Sequence, residues 1–452
     1  MHNAKEVTMK SMRSFSRNFF AAAVAGFMSL TAGAHASQVQ LNLNAGNLFL
    51  LSDRKQTVPI KVGLTGIPMP MTRYRAPVNV AIVLDKSGSM TGEKIRRARE
   101  AAIMAVNLLD SRDIVSVVAY DDTARIVVPA TPVANRYAIT RAIEGIMPGG
   151  STALFAGVSL GAREVERHLD SGRVNRVILL SDGLANVGPS SPGALSDLGA
   201  SFKRDGISVT TIGLGAGYNE DLMFELAGRS DGNHAFAENA RDLSRIFQNE
   251  FGDILSVVAQ DIEIRITCQE GVRPVRVLGR DADIYGQTVV TSLNQLYSNQ
   301  EKYVLLEVEV PPYPSGSTME LARVDISYAD MNTRTLDSLS GSVDISFTDS
   351  KRHVERHVQK ETMVDYVTQS SNIEKEKVIR LRDAGKKGEA KALLRKKAQT
   401  LKAEAAQYQS DELEDMAQSL ESEAEALDRE NWGTQRKKLK ESQYKVSRQQ
   451  KW

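Results

Sequence analysis

Val78–Met90 reads V-N-V-A-I-V-L-D-K-S-G-S-M, and the fold follows from how that run ends. A mostly aliphatic, β-branched stretch stops abruptly at Asp85, and serines follow at 87 and 89 on either side of Gly88. Such a run reads as a strand buried on both faces, of the kind found in the middle of a parallel sheet. The carboxyl ends of such strands are where α/β sheets place their ligands. Asp85, Ser87 and Ser89 therefore fall on a ligand-bearing turn, and three small oxygen side chains on one loop suit a metal ion first.

Outward from this run, strand and helix patterns alternate from Val78 to about Leu255. Helical stripes fall at Ile95, Ala98, Ala102 and Ala105, at Leu154, Val158, Ala162 and Val165, and at Leu243, Ile246, Phe247 and Ile254. Buried-strand runs fall at Ile114–Ala119, Val174–Leu180 and Ile207–Ile212, with short apolar pieces at Ile126–Val128 and Ala235–Phe236 expected at sheet edges. The alternation predicts an α/β domain over 76–255, a doubly wound and mostly parallel sheet of Rossmann-like kind. Residues 37–75 alternate apolar and polar (Val39, Leu41, Leu43; Val58, Ile60, Val62, Leu64) before a linker marked by Pro68, Pro70 and Pro77. Residues 256–350 return to strand alternation broken by turn residues, which predicts a β-sandwich. The early strands, about 30 residues, bury too little to stand alone. They are expected to join the later sheet, so that the α/β domain is an insertion in a β domain. Residues 351–430 are charged and helical, with narrow apolar seams that predict helical hairpins or a short coiled coil, a surface for helix-mediated association. Residues 431–452 read as a basic, flexible tail.

The composition is that of a multi-domain globular chain: 452 residues, 42% hydrophobic and 25% charged. A net charge of +1 supplies no field that would draw nucleic acid. The single cysteine, Cys268, excludes an internal disulfide and a multi-cysteine zinc site; within I-R-I-T-C it reads as a small buried hydrophobe. His353 and His357 lie four apart without further ligands and read as a solvated face. At the N-terminus, Lys10, Arg13 and Arg17 precede an apolar segment, Phe19–Leu30, and then Ala34-His35-Ala36. This is the layout of a secretory signal peptide over 1–36, cleaved after Ala36, with a retained anchor as the alternative. The apolar part is short for a membrane span, so no transmembrane span is expected after cleavage. Export to a bacterial periplasm, the cell surface or the medium suits a disulfide-free chain.

Two other stretches supply oxygen ligands in the right topological places. Gly149-Gly150-Ser151-Thr152 is a loop opening a helix, and Leu180-Ser181-Asp182-Gly183 ends a second buried strand. If the sheet winds outward both ways from the Val78 strand, the Val174 strand lies beside it and Asp85 adjoins Asp182 across a crevice. Asp85, Ser87, Ser89, Thr152 and Asp182 then form an all-oxygen set with two formal negative charges. That set suits Mg²⁺ first, with Mn²⁺ or Ca²⁺ next, and disfavours zinc because it holds no His or Cys.

These motifs, D-x-S-x-S at Asp85–Ser89, the threonine of G-G-S-T at Thr152 and the acid of S-D-G at Asp182, resemble the metal-ion-dependent adhesion site of von Willebrand factor type A domains. The similarity covers about Val78–Leu255 and includes T-I-G-L-G-A-G-Y-N-E-D-L at Thr211–Leu222. The flanking strands are similar in pattern to bacterial secreted members and to inter-alpha-trypsin-inhibitor heavy chains. The resemblance implies that Ser87 and Ser89 bind the ion directly, Thr152 directly or through water, and Asp85 and Asp182 mainly through waters. It further implies that an Asp or Glu of a protein partner fills the open position. Gly150, Ser151 and Gly183 are expected on the partner-binding rim, and Asp121, after the Ile114 strand, either joins that rim or caps its loop. By the same resemblance, the helix over Asn239–Leu255 is the element that would shift to report occupancy.

Recognition or adhesion, without catalysis, is therefore the expected function. An envelope scaffold whose ion is only structural is the alternative. A metal-dependent hydrolase is a weaker rival: no G-x-S-x-G elbow is present, Ser87-Gly88-Ser89 has no identifiable His partner, and Ser87 stands where an aspartyl-phosphate enzyme needs its second acid.

Overall fold

Alternating strands open the structure. The computed structural model describes residues 38–68, 75–429 and 431–451, so the signal peptide expected over 1–36 and the linker's Pro70 lie outside the described residues. First come β1 (Val39–Ala45), β2 (Phe49–Leu51) and β3 (Gln56–Gly66). β1 and β3 pair antiparallel, with Leu41 opposite Leu64 and Leu43 opposite Val62.

The α/β part follows as β4 (Val78–Asp85), α1 (Glu93–Leu108), β5 (Ile114–Tyr120), β6 (Ala124–Pro132), α2 (Arg136–Glu144), α3 (Leu154–Glu166) and β7 (Val174–Ser181). It continues through α4 (Pro192–Arg204), β8 (Ser208–Leu214), α5 (Glu220–Arg229), β9 (His234–Ala237) and α6 (Leu243–Leu255). The strand order is β6-β5-β4-β7-β8-β9, parallel throughout except for the edge strand β6. The short runs at Ile126–Val128 and Ala235–Phe236 belong to the two edge strands.

Every residue of β4 is buried, and alternate side chains serve opposite faces. Val80, Ile82 and Leu84 share a core with Ala98 and Ala102 of α1 and with Phe247 and Phe251 of α6. Ala81 and Val83 share the other with Val158 and Ala162 of α3. Each fully buried Val, Leu or Ile contributes about 1.5–3 kcal/mol. Glycine sets the height of α3 over the sheet, because a Cβ on Gly161 would stand 2.4 Å from Cγ2 of Val83. β4 lies between β5 and β7, so the chain winds away from it in both directions and leaves a crevice at the carboxyl ends of β4 and β7.

Beyond α6 come β10 (Val257–Cys268), β11 (Arg273–Leu278), β12 (Asp283–Tyr285), β13 (Thr288–Tyr297), β14 (Glu301–Val310), β15 (Thr318–Asp330) and β16 (Leu336–Thr348). They form two sheets, ordered β1-β3-β14-β11 and β12-β13-β10-β15-β16-β2. The early strands thus pair with later ones: Val62 faces Val304 and Ile60 faces Leu306 across β3 and β14, while β2 runs parallel to β16. Val58, Ile60, Val304, Ile264, Val324 and Cys268 lie in one apolar cluster that draws on both sheets. Arg176 of β7, fully buried, ties the α/β sheet to β13 by donating to Gln295 Oε1 at 2.5 Å and to the Tyr297 hydroxyl at 2.8 Å.

The helical region comprises α7 (Lys351–Arg356), α8 (Lys360–Asp383), α9 (Lys387–Tyr408), α10 (Asp411–Arg429) and α11 (Trp432–Ser447), followed by β17 (Gln450–Lys451). α9 and α10 are a hairpin whose turn places Gln409 at φ 55°. Ala390, Leu394, Ala398 and Leu401 meet Leu413, Ala417, Leu420 and Leu427 along a narrow seam. Among the described residues no helix is long and apolar enough to cross a membrane.

The flexible tail expected over 431–452 is not what the structure shows. α11 packs on the α/β domain and on α8, and β17 pairs with β14 at Glu301 and Lys302. The tail's basic residues have specific acceptors. Arg436 bonds Glu220 and Asp221 of α5 at 2.5 and 2.8 Å, Lys437 bonds Glu220 at 2.6 Å, and Lys440 bonds Glu376 of α8 at 3.0 Å. The Tyr444 hydroxyl donates to the Gly232 carbonyl at 2.6 Å.

Candidate functional site

Three loops meet at the crevice, and backbone hydrogen bonds lock them together. Asp85 Oδ1 accepts from the Ser87 amide at 2.8 Å, an Asx-type turn that bends the chain as it leaves β4. A single 3₁₀ turn follows at Gly88–Met90. The Gly88 amide donates to the Gly150 carbonyl at 2.9 Å, and the Gly149 amide donates to the Lys86 carbonyl at 2.7 Å. Gly150 sits at φ +81°, and a Cβ there would also stand 2.6 Å from Asp122 Oδ2, so the loop requires glycine. Asp122 Oδ1 in turn accepts from the Ser151 amide at 2.9 Å. Asn186 joins the third loop to the second: its Oδ1 accepts from the Thr152 amide at 2.8 Å, and its own amide donates to the Thr152 carbonyl at 3.2 Å.

The oxygens converge within this frame. The Ser87 and Ser89 hydroxyls are 3.0 Å apart, and Ser89 donates to Asp182 Oδ1 at 2.7 Å. Thr152 faces Ser89 across Gly183: a Cβ on that glycine would lie 3.3 Å from Thr152 Oγ1 and 3.5 Å from Ser89 Oγ. Asp85, Ser87, Thr152 and Asp182 are buried, whereas Ser89 is exposed and marks the open side. Asp85 Oδ2 accepts from the Ser181 hydroxyl at 2.8 Å. Burial pushes the Asp85 carboxyl above its ordinary range, against the bonds from Ser87 and Ser181, and the charge of Asp182 adds to the rise. Lys94 of α1 bonds Asp182 Oδ2 at 2.5 Å.

The five residues singled out as ligands therefore lie together at one crevice. Their hydroxyl lone pairs and two carboxylates form a hard-oxygen donor set that could hold a small divalent cation. Among the described residues no three His, Cys, Asp or Glu side chains form a metal-holding group, so a cation here would depend on the serine and threonine hydroxyls.

The rim residues divide. Gly150, Ser151 and Gly183 line the loops that carry the hydroxyls. Asp121 is not a free rim acid, because its carboxylate is taken by an ion pair with the buried Lys86. Sequence reading assigned no role to Ser181, Lys94 or Asn186. Ser181 stood inside the S-D-G motif and was open to notice; Lys94 and Asn186 reach the site through helix phase and loop path, which carry no motif. Asn239–Leu255 forms a 3₁₀ turn with a capping box between Asn239 and Asp242, then α6.

Comparison with known proteins agrees with this architecture. Residues 79–249 match the family model of the von Willebrand factor type A domain. The chain is 28% identical over 266 residues to protein sll0103 of Synechocystis, covering 57% of this chain and 62% of that one. It is 28% identical over 194 residues to human inter-alpha-trypsin inhibitor heavy chain H4, covering 40% of this chain and 21% of that one. The chain thus spans under two thirds of the length of either relative. Among solved structures, a von Willebrand factor type A protein from Catenulispora acidiphila superposes with a TM-score of 0.69 over 88% of this chain and 91% of that one, at 17% identity. That likeness in fold extends well beyond the matched domain. The crevice at β4 and β7, its three-loop hydroxyl cluster and these similarities lead to one assignment: residues 79–249 of this chain are a von Willebrand factor type A domain.

Proposed function

We propose that the protein is an exported, cation-dependent recognition module. Ser87, Ser89 and Thr152 would hold a divalent ion, Mg²⁺ first and Mn²⁺ or Ca²⁺ as alternatives, with Asp85 and Asp182 supporting it. The single observation that carries the reading is the hydroxyl chain Ser87–Ser89–Asp182 facing Thr152 across a glycine. Bound there, the ion supplies residual positive charge, since most of its ligands are neutral, and attracts a carboxylate from a partner protein. The chain's own residues do the rest. Asp85 orients the Ser87 turn, Asn186 fixes Thr152, and the exposed Ser89 marks where a partner's Asp or Glu enters. Type A domains typically mediate protein–protein interaction. Export rests on the N-terminal sequence layout.

Isothermal titration with Mg²⁺ tests the reading. Wild type should bind, and Asp85→Ala should lose binding while keeping its circular dichroism spectrum. Unfolding of Asp85→Ala together with wild-type thermal stability that depends on Mg²⁺ would favour the scaffold alternative. A wild type indifferent to Mg²⁺, Mn²⁺ and Ca²⁺ would end both.

A further inference from the structure

On the flank of the domain away from this crevice, the ends of α4 and α5, the β11–β12 turn and the last turn of α11 enclose a cavity of about 480 Å³. Its inner wall has more positive than negative charge. Asp231, 5% exposed, receives Arg448 at 2.5 Å and Arg280 at 3.8 Å on one oxygen, and the Asn294 amide at 2.5 Å on the other. Arg280 spends its remaining bonds on neutral acceptors, Gln449 Oε1 and the Arg448 carbonyl. Arg448 Nε is buried with no acceptor. The Lys203 ammonium, half-buried on the α4 wall, has no hydrogen-bond or ion-pair partner among the described residues. Arg229 and Asp281 are paired with each other at the exposed mouth, and Glu225 completes the acidic side of the lining.

Buried charges are ordinarily paired, because an uncompensated one is costly to desolvate. Here three inward cations share one buried carboxylate. Burial lowers the Lys203 ammonium, with the like charges of Arg280 and Arg448 opposing the pull of Asp231, and burial lowers Arg280 to about 10. We infer that this cavity is a binding site for a compact phosphate-type oxyanion, received by the Lys203 ammonium beside the Arg448 and Arg280 guanidinium groups. A volume within the usual range for small-molecule sites leaves room for an organic group on that phosphate. Since Arg448 ends α11 and Lys203 ends α4, a bound oxyanion would also brace the C-terminal helix against the type A domain. The inference is independent of the cation site.

The test is calorimetric titration of the full-length protein with inorganic phosphate and, separately, with glycerol 3-phosphate, at ionic strength held constant with chloride. Binding of either probe by wild type, weakened at least tenfold in Lys203→Met, is expected; tighter binding of glycerol 3-phosphate would identify a phosphomonoester as the preferred source. Without phosphate, Lys203→Met should melt at or above the wild-type temperature, because like-charge repulsion is relieved, whereas a merely structural lysine would lower it. No heat and no thermal shift with either probe, or equal affinity in the variant, would overturn the site.

Discussion

Asp85 and Asp231 are both buried aspartates of the same α/β domain, and their surroundings are opposite. Asp85 accepts from neutral donors of Ser87 and Ser181, and its carboxyl is pushed up by burial. Asp231 is buried just as deeply, yet Arg448, Lys302, Arg280 and Lys203 hold it far below the usual carboxylate range. Burial alone therefore does not set the ionisation of a carboxylate; the count of nearby cations does. One end of the domain is short of positive charge and the other has more than one acid can use. A cation at the first and an oxyanion at the second would each correct the local imbalance.

The largest effect that would break this contrast comes from removing Asp231. Asp231→Asn leaves Arg448 and Arg280 without their carboxylate, and chemical denaturation should show a loss of about 3–5 kcal/mol. A loss under about 1 kcal/mol would mean that the cations are solvated and the contrast false.

Next in size is an effect of acid. His234 is buried, bonded through Nδ1 to Thr211 Oγ1 at 2.8 Å, and burial lowers it to about 4. Its folded pKa is below its unfolded value of about 6.5, so between these the unfolded chain binds more protons. Stability is full above pH 6.5 and falls as pH drops toward 4, by about 3 kcal/mol for this group. Denaturation at stepped pH should show that slope, and His234→Phe should flatten it. Tyr444 stacks edge-on to this ring at 5.8 Å, so the same experiment reports on α11 docking.

A smaller effect sharpens the other side of the comparison. Lys94 is the cation on Asp182 and is partly exposed. Lys94→Met should tighten Mg²⁺ binding about three- to tenfold at low salt, with less effect at high salt. Weaker binding in that variant would instead make Lys94 a supporting residue. The smallest change is expected from Asn186→Ala, which frees the Thr152 amide. Mg²⁺ affinity should drop several-fold, with about 1 kcal/mol lost in stability.

Much of the α/β part was legible in the sequence, for identifiable physical reasons. β4 and β7 are unbroken apolar runs buried on both faces, and each ends in an acid next to a turn. The helices α2 and α4 were not read. α4 buries only Leu195, Gly199 and Phe202, too few large side chains to leave a stripe. α11 was misread because its acceptors on the α/β domain, Glu220, Asp221 and Asp231, lie more than two hundred residues earlier. Ion pairing at that separation leaves no periodicity, and a run of lysines and arginines looks solvated until the acids are brought to it. Asp121 was expected near the rim because nothing in the sequence shows that the fold turns Lys86 inward to pair with it.

The most direct measurement is a crystal grown with Mn²⁺ and examined for anomalous scattering at the manganese edge. The expected result is one strong peak bounded by Ser87, Ser89 and Thr152, with Asp85 and Asp182 behind it and the Lys94 ammonium displaced from Asp182. Those side chains unchanged, with Lys94 still on Asp182 and no peak among the hydroxyls at millimolar Mn²⁺, would contradict the cation site.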